Sequence, residues 1–362
     1  MYRFLIILFL TVTLIGCKEN ATQEIENAIS ESNVTDTIVN EYDFPDVYLT
    51  FKEKDTLLFI DNEAFHLKFT VEIDTLKHLL KTESYLYEGK NYKQKYKGYH
   101  AKYTIMLIDK SDDTIFNTIL TKNDFEDILD GEALTRSEIY LPVLLDYLET
   151  FESFAFSLNF MIPDSDVSAQ CLLLINRKGE LIENTLNNLF GVGDCSSVIE
   201  IPSHQKFILT CQKIINADGT HVELSDKNAW QVGTKLINDN TILAVQEFND
   251  STQMPNAKLI DNYGNTLKQF IYKGYYNTLD FVVPIHFDPH SQNYFLLDEK
   301  MKQAVVINKN QPLSLYAVDF AKMNPFNDDK IAGELVFEME LEYTHYTFAF
   351  DTLKNTFRKR KD

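Results

Sequence analysis

The chain is short of several features that commonly announce a function. It has a single Trp, Trp230, which is a thin supply for a sugar-stacking platform. Basic side chains are few: 34 Lys and Arg stand against 54 Asp and Glu, for a net charge of −20. A protein that grips a phosphate backbone needs a basic face to displace counterions, so this balance argues against nucleic acid as a partner. After the first 17 residues no apolar run approaches 18 residues, so no later segment is expected to cross a membrane as a helix. There is no Gly-x-Ser-x-Gly elbow, P-loop or His-Glu-x-x-His helix, and Gly191-Val192-Gly193 lacks the third glycine of a dinucleotide fingerprint. Nothing in the pattern implies a cofactor. Glycine is also sparse, with twelve in 362 residues, whereas there are 26 Phe and 19 Tyr. That composition favours strands over helices. The 44% hydrophobic content excludes wholesale disorder, and the length allows two domains with separate cores.

The amino terminus is the most specific stretch. Arg3 is followed by Phe4 to Ile15, an unbroken run of apolar residues and Thr, and then by Gly16-Cys17. Twelve residues are too few for a spanning helix, which takes about 20, so the run reads as the apolar part of a signal peptide. Leu14-Ile15-Gly16-Cys17 resembles the lipobox of bacterial lipoproteins. The resemblance implies cleavage of residues 1–16, acylation of Cys17, and a soluble body held on a bilayer, here the outer membrane of a cell envelope. Each buried CH₂ of such a chain contributes about 0.8 kcal/mol. Residues 17–46 then read as an acidic, disordered tether, with eight acids against Lys18 between positions 18 and 46. Lys18-Glu19 is mildly similar to the acidic export signals of Bacteroidota surface lipoproteins. The triplets Asp36-Thr37-Ile38, Asp55-Thr56-Leu57, Asp74-Thr75-Leu76, Asp113-Thr114-Ile115 and Asp351-Thr352-Leu353 resemble the O-glycosylation sequon of Bacteroidota envelope proteins. The same residue order also makes an Asx turn into a strand.

The fold expected is mainly β, as an N-terminal α+β domain over 47–166 and an all-β repeat domain over 167–362. In the first, Val47 to Phe51, Asp55 to Ile60 and Phe65 to Ile73 read as strands, and Thr104 to Ile108 with Thr114 to Leu120 as a hairpin. One helical insert is expected. Thr121 to Asp124 start it with Gly131 as its stop, and Thr135 to Glu138 start a second stretch in which Leu141, Leu144, Leu145 and Leu148 share a helix face. Phe154, Phe156, Leu158 and Phe160 then alternate as one aromatic face of a strand. This region resembles small uncharacterised lipoprotein domains of Bacteroidota.

Further on, a phrase recurs. Ile175-Asn176-Arg177-Lys178-Gly179, Ile215-Asn216-Ala217-Asp218-Gly219 and Ile260-Asp261-Asn262-Tyr263-Gly264 share the form Ile-(Asn/Asp)-x-x-Gly. Ile307 to Gln311 and Phe350 to Lys354 fit it more loosely, at separations of 40 to 47 residues. Each reads as a hairpin turn, with Phe207 to Thr210, Thr241 to Gln246 and Tyr294 to Leu297 as inner strands. The segments resemble blades of envelope β-propellers and predict a small or incomplete propeller; a sandwich or solenoid is the alternative.

Few residues look like chemistry. His286, Asp288 and His290 alternate as metal ligands on a strand would, although Asp288-Pro289 is also ordinary turn text. With Cys17 acylated, Cys171, Cys195 and Cys211 remain; a Cys195–Cys211 disulfide and buried free thiols are both open, and His204 is the one nearby activator for a catalytic thiol. Asp112-Asp113, Asp164-Ser165-Asp166 and Asn327-Asp328-Asp329 read first as turn chemistry, with calcium binding as the alternative, although none has the spacing of an EF-hand loop. Arg358-Lys359-Arg360-Lys361 reads as a solvated, frayed end or a contact with anionic headgroups. The function expected is that of a non-catalytic envelope lipoprotein, a binding or assembly module with an envelope protein or glycan as partner. The alternative is an envelope hydrolase acting on glycans or peptides through carboxylates in a β-repeat cleft.

Overall fold

The computed structural model describes residues 37–44, 51–163, 168–189, 199–224, 231–276, 281–325, 334–341, 344–351, 354 and 356–361. The first sheet holds β1 (Ile38–Asp43), β2 (Phe51–Ile60), β3 (Glu63–Tyr87), β4 (Lys90–Asp109) and β5 (Thr114–Thr121), in the order β1-β4-β3-β2 with β5 on β4. The second holds β6 (Glu138–Ile139), β7 (Val143–Leu148), β8 (Ser153–Met161), β9 (Ser168–Asn176) and β10 (Leu181–Leu189). The third is β11 (Phe207–Leu209), β12 (Lys213–Asn216) and β13 (His221–Glu223). The fourth is β14 (Gln231–Asn238), β15 (Thr241–Gln246), β16 (Ala257–Ile260) and β17 (Thr266–Phe270). A short ribbon, β18 (Tyr275–Tyr276) and β19 (Phe281–Val282), precedes the fifth sheet of β20 (Ile285–Asp288), β21 (Asn293–Asp298), β22 (Gln303–Asn308) and β23 (Gln311–Asp319). The sixth joins β24 (Asn324–Pro325), β25 (Glu334–Leu341), β26 (Thr344–Asp351) and β27 (Thr356–Lys361). The protein is mainly β, built from successive antiparallel meanders, as its composition implies.

Two compact units are present, one of Met1–Asp43 with Leu80–Lys97 and the other of Phe44–Leu79 with Gly98–Asp362. In the larger unit, side-chain alternation decides how sheets pack. In β9, Ala169, Cys171, Leu173 and Ile175 join the cluster shared with the first sheet, while Leu172 and Leu174 join the cluster shared with the third. In β15, Ile242 and Ala244 face the third sheet, whereas Leu243 and Val245 face the fifth. In β21, Tyr294 and Leu296 turn toward the fourth sheet, and Phe295 and Leu297 toward the sixth. Successive positions point to opposite faces, so each inner strand supplies two seams at once. That requirement explains why these strands read as unbroken apolar runs rather than apolar-polar alternations.

The repeated phrase is the outer hairpin of each sheet. Asn176 Oδ1 accepts from Lys178 N and Glu180 N at 2.9 Å, Asp261 Oδ1 accepts from Tyr263 N and Asn265 N at 2.9 Å, and Asn308 Oδ1 accepts from Asn310 N at 3.0 Å. Gly179, Gly219 and Gly264 close the turns at φ of +82°, +83° and +81°, where a β-carbon would be strained. Neighbouring turns also hold each other: Asn216 Nδ2 donates to Asn262 O at 3.0 Å, and Asn262 Nδ2 donates to Asn216 Oδ1 at 2.8 Å. The first sheet carries the same device at Ile108-Asp109-Lys110-Ser111-Asp112. Asp109 Oδ1 accepts from Ser111 N at 2.8 Å and Asp113 N at 3.0 Å, with Asp112 at φ +63° in the glycine position. The repeat therefore begins one unit earlier than its glycines reveal.

Several local expectations are corrected. Leu141–Leu148 does not form a helix: Val143–Leu148 is β7, paired antiparallel with β8. A bulge between Leu144 and Asp146 inserts one residue, so Leu141, Leu144 and Tyr147 pack on the same cluster at a spacing of three, which imitates a helix face. Gly131 does not stop a helix but opens the helix α1 (Gly131–Arg136), capped by Asp130, whose carboxylate accepts from Ala133 N at 2.6 Å. Thr135 lies inside α1, its hydroxyl donating to Gly131 O at 2.7 Å. The start at Thr121 stands, since Asp124 Oδ2 accepts from both Thr121 N and Oγ1, but only a single 3-10 turn, Lys122–Phe125, follows. The basic C-terminal stretch is not frayed, because Arg358 and Arg360 lie in β27 and Arg358 pairs with the buried carboxylate of Glu334. In β8 both faces are buried, the aromatic one against the first sheet and Ala155 against the third.

This packing makes a contrast between two Phe residues. Phe295 is fully buried among Phe337, Phe350 and Phe357 at ring distances of 4.8, 5.3 and 5.7 Å, while Phe59 is 70% exposed. Phe295→Ala is expected to cost about 3–5 kcal/mol in urea unfolding, and Phe59→Ala less than about 0.5 kcal/mol. Equal losses would contradict two-sided packing.

Candidate binding surface

The part of the first sheet that belongs to the larger unit differs from the other sheets. Leu67, Phe69 and Val71 of β3, Tyr103, Ile105 and Leu107 of β4, and Phe116 and Leu120 of β5 bury one of its faces. The alternate positions leave Leu57 and Phe59 on β2 and Ile115 and Ile119 on β5 exposed, with His66 and Lys68 between them. A patch of large apolar side chains rimmed by charge is the signature of a contact surface. Glu72, Lys102 and Ile119 of that face line a groove of about 690 Å³, together with Asp74, Leu76, Lys77 and His100. Leu76 is 91% exposed beside it.

A second concavity, of about 350 Å³, opens at the repeat turns. Its floor is apolar, from Ile60, Phe65, Leu107 and Phe154, and its rim carries Glu63, Asp109, Lys110 and Arg177. An apolar floor with a few convergent polar groups is the usual build of a ligand cleft. Arg177 is fixed rather than free: its Nη2 donates to Asp61 at 2.8 Å, its Nε donates to Tyr147 Oη at 2.6 Å, and its guanidinium lies 4.8 Å over the Tyr147 ring. The Asp61 carboxylate, followed by burial acting against it and the Tyr147 bond, leaves the guanidinium more firmly protonated than usual. Three of the four charged rim residues come from repeat turns, Asp109 and Lys110 from one phrase and Arg177 from the next, while Glu63 opens β3. In sequence these positions read only as turns, and Ile108-Asp109 is the signal that places the first of them in the repeat.

The residues singled out from sequence fall as follows. His286 lies in β20 with its ring stacked on Phe337 at 4.5 Å and tilted on Phe295 at 6.3 Å. Burial lowers its affinity for a proton, with Asp288 opposing. Asp288 is buried and accepts from Ser291 N and Oγ at 2.5 Å, so it organises the Pro289–Ser291 turn. Burial acts to raise its carboxyl, but the Ser291 bonds outweigh it and keep the group ionised. Among the described residues no group of three His, Cys, Asp or Glu is placed to hold one metal ion. Cys171 is a buried free thiol pushed up to about 12 by burial, so it is not a nucleophile at neutral pH. Cys211 is disulfide-bonded, and its backbone N–H donates to Asn187 at 2.9 Å. His204 Nδ1 sits 3.5 Å from Asp239, whose carboxylate already accepts from the backbone and hydroxyl of Ser203. Cys17, Cys195, Gly191, Gly193, Trp230, Asp164, Asp166 and the Asn327 cluster lie outside the described residues, as do Asp36, Thr352 and Leu353 of the triplets.

Of the described triplets, Asp74 accepts from Leu76 N at 3.0 Å, which is the Asx-turn bond. Asp55 instead reaches across the sheet to His66 at 3.1 Å, and Thr114 opens β5 in the open. Asp298 is the carboxyl that burial raises, yet its two oxygens accept from Lys273 N at 2.8 Å and Met301 N at 3.0 Å, so it holds backbone in place.

Comparison with known proteins identifies no relative by sequence: no family model and no curated protein matches the chain. Among solved structures the chain is similar to Hsv2 of Kluyveromyces lactis, at 10% identity over 73% of this chain and 82% of that one, with a TM-score of 0.31. It is also similar to a Bacteroides fragilis protein described as exported, at 8% identity over 65% and 78% with a TM-score of 0.28. A Bacteroides thetaiotaomicron protein of unknown function aligns at 8% identity over 87% of both chains, with a TM-score of 0.25. At these values the likeness adds nothing to what the chain's own sheets establish.

One buried cation beside the groove gives a pH test. Lys122 follows Thr121, is 3% exposed, and donates from Nζ to Ser137 O at 2.9 Å. Burial lowers it to about 7, with Glu138 opposing. The unfolded value is about 10.4, so between pH 7 and that value the unfolded chain binds the extra proton and stability rises with pH. The stability of the wild type minus that of Lys122→Met should therefore grow between pH 7 and 9, toward a slope of about 1.4 kcal/mol per pH unit. A flat or falling difference would contradict the burial of this amine.

Proposed function

We propose that the protein is an envelope lipoprotein, cut before Cys17 and held on a bilayer by its acylated Cys, that works as a binding or assembly module. The signal-like run Phe4 to Ile15 and the box Leu14 to Cys17 support the anchor and an extracytoplasmic address, and the Cys211 disulfide fits an oxidising compartment. In this reading the partner of Cys211 is Cys195, sixteen residues before it. The observation that carries the binding role is the open apolar face of the first sheet, where Phe59 and Ile119 are exposed and Ile119 also lines a groove of about 690 Å³. An envelope protein or a glycan is the partner this face would take. Sheets two to five supply scaffold: their faces are spent on the seams.

Mass spectrometry of the mature protein is expected to show loss of residues 1–16 and an acylated Cys17; an unmodified N-terminus, or retained Gly16, sinks the anchor. Recovery from native envelopes with the wild type and with Phe59→Asp/Ile119→Asp addresses the rest. A partner retained by the wild type and lost from the variant is expected. A chain that turns over a glycan or peptide library, undiminished by the double substitution, would overturn the binding role.

A further inference from the structure

The smaller unit carries a feature that the binding face does not use. Leu80–Tyr87 of β3 and Lys90–Lys97 of β4 form a hairpin closed by Glu88 and Gly89 at φ of +48° and +74°, the two left-handed positions of a tight turn. Around that turn Tyr85, Leu86 and Tyr87 are 43%, 69% and 57% exposed. Leu80–Lys97 contains five Lys and two Glu in a chain whose net charge is −20. Large amphipathic and apolar side chains at a hairpin tip, flanked by lysines, are the chemistry of a bilayer surface: Tyr and Leu enter the headgroup boundary and Lys meets anionic lipid.

The direction of β1 adds a second, independent observation. It pairs parallel with β4, Ile38 beside Tyr92 and Asp43 beside Lys97, so the chain coming from the amino terminus arrives at the tip end of the hairpin. Cys17 lies 21 residues before Ile38 in the sequence. Glu41 and Asp43 pair with Lys95 at 2.6 Å and Lys97 at 2.8 Å, and Tyr42 stacks on Tyr96 at 5.5 Å, which ties that incoming strand to the base of the lysine row. Lys90 and Lys93, nearer the turn, are left on the tip side of those pairs.

We infer that the Tyr85-Leu86-Tyr87 tip, with Lys90 and Lys93, is a docking element for an anionic bilayer surface. It gives the anchored protein a second attachment and a fixed orientation, and it deepens the lipoprotein reading on which it rests. An acylated terminus alone leaves orientation free; a basic, aromatic tip in an acidic molecule is the part that negative lipid attracts rather than repels.

The test uses full-length protein purified from membranes and reconstituted into vesicles of phosphatidylglycerol and phosphatidylcholine. A fluorophore is placed at Leu86→Cys or, as a control, at Lys302→Cys, whose parent side chain is 67% exposed in the larger unit. Brominated lipid is expected to quench the label at position 86 by about twofold and the control not at all, and Lys90→Glu/Lys93→Glu to bring position 86 to the control level. The acyl state of Cys17 is read by mass spectrometry on the same sample. Acylated protein with equal quenching at both positions overturns the docking element while leaving the anchor intact. A label shielded from aqueous iodide but untouched by brominated lipid also overturns it, in favour of a protein contact. Quenching at position 86 without acylation supports the docking element and sinks the anchor.

Discussion

The structure depends on one constraint: an inner strand must satisfy two apolar seams with alternate side chains. β9, β15 and β21 each do so, with Cys171 and Leu172, Ile242 and Leu243, or Tyr294 and Phe295 sent to opposite sides. Burying a large apolar side chain is worth roughly 1.5–3 kcal/mol, so a strand loaded on both faces contributes about twice what a one-sided strand does. The polar devices serve that arrangement. Asn256 Nδ2 donates to Gln246 O at 2.7 Å and Tyr272 O at 2.8 Å, satisfying buried carbonyls that a seam cannot hydrate. The Asx turns fix where each strand ends, and hence which residue faces which seam.

The same constraint gives the ends of the series their character. The sixth sheet covers much of its outward face with charge: Arg358 reaches Glu334, Arg360 reaches Thr347, and Thr347 and Ala349 are buried beneath, with Val336 left 45% exposed. The first sheet has no such cover on the described residues of its open face, where Leu57, Phe59, Ile115 and Ile119 are exposed. A repeated scaffold needs a finished outer face for solubility, and an unfinished one is where a partner gains most from apolar contact. The turn-lined cleft at Arg177 sits on the seam between the first and second sheets, where the scaffold's own regularity creates a concavity. Function in such a fold is placed on edges, turns and ends, because the interior faces are already committed.

Much of the architecture was legible. Composition gave the β class, the Ile-(Asn/Asp)-x-x-Gly phrase gave the outer hairpins, and Thr241–Gln246 was readable as a strand to the residue. The misreadings have physical causes. Leu141, Leu144, Leu145 and Leu148 carry a helical period in sequence, but a bulge between Leu144 and Asp146 displaces the strand's alternation by one, so Leu141, Leu144 and Tyr147 share a cluster while Leu148 packs on another. The first repeat was missed because Asp112 takes the left-handed position that Gly holds elsewhere, and Asp tolerates it at some cost. Ile38–Asp43 reads as spacer in sequence, since its acids bury little; its parallel pairing with β4, more than fifty residues away, makes it a strand, with Glu41 and Asp43 also meeting Lys95 and Lys97 there. The open face of the first sheet was not legible either. Leu57 and Phe59 look in sequence like core residues, and only pairing and packing reveal that they have no seam to fill.

Amide hydrogen exchange on the full-length protein tests the two-seam account most directly. Strands that fill two seams open only with the whole unit, whereas one-sided or edge strands open locally. The account predicts that β9, β15 and β21 exchange slowest and at a common rate, and that β1 and β2 exchange orders of magnitude faster. Exchange in β15 or β21 as fast as in β2 would contradict it.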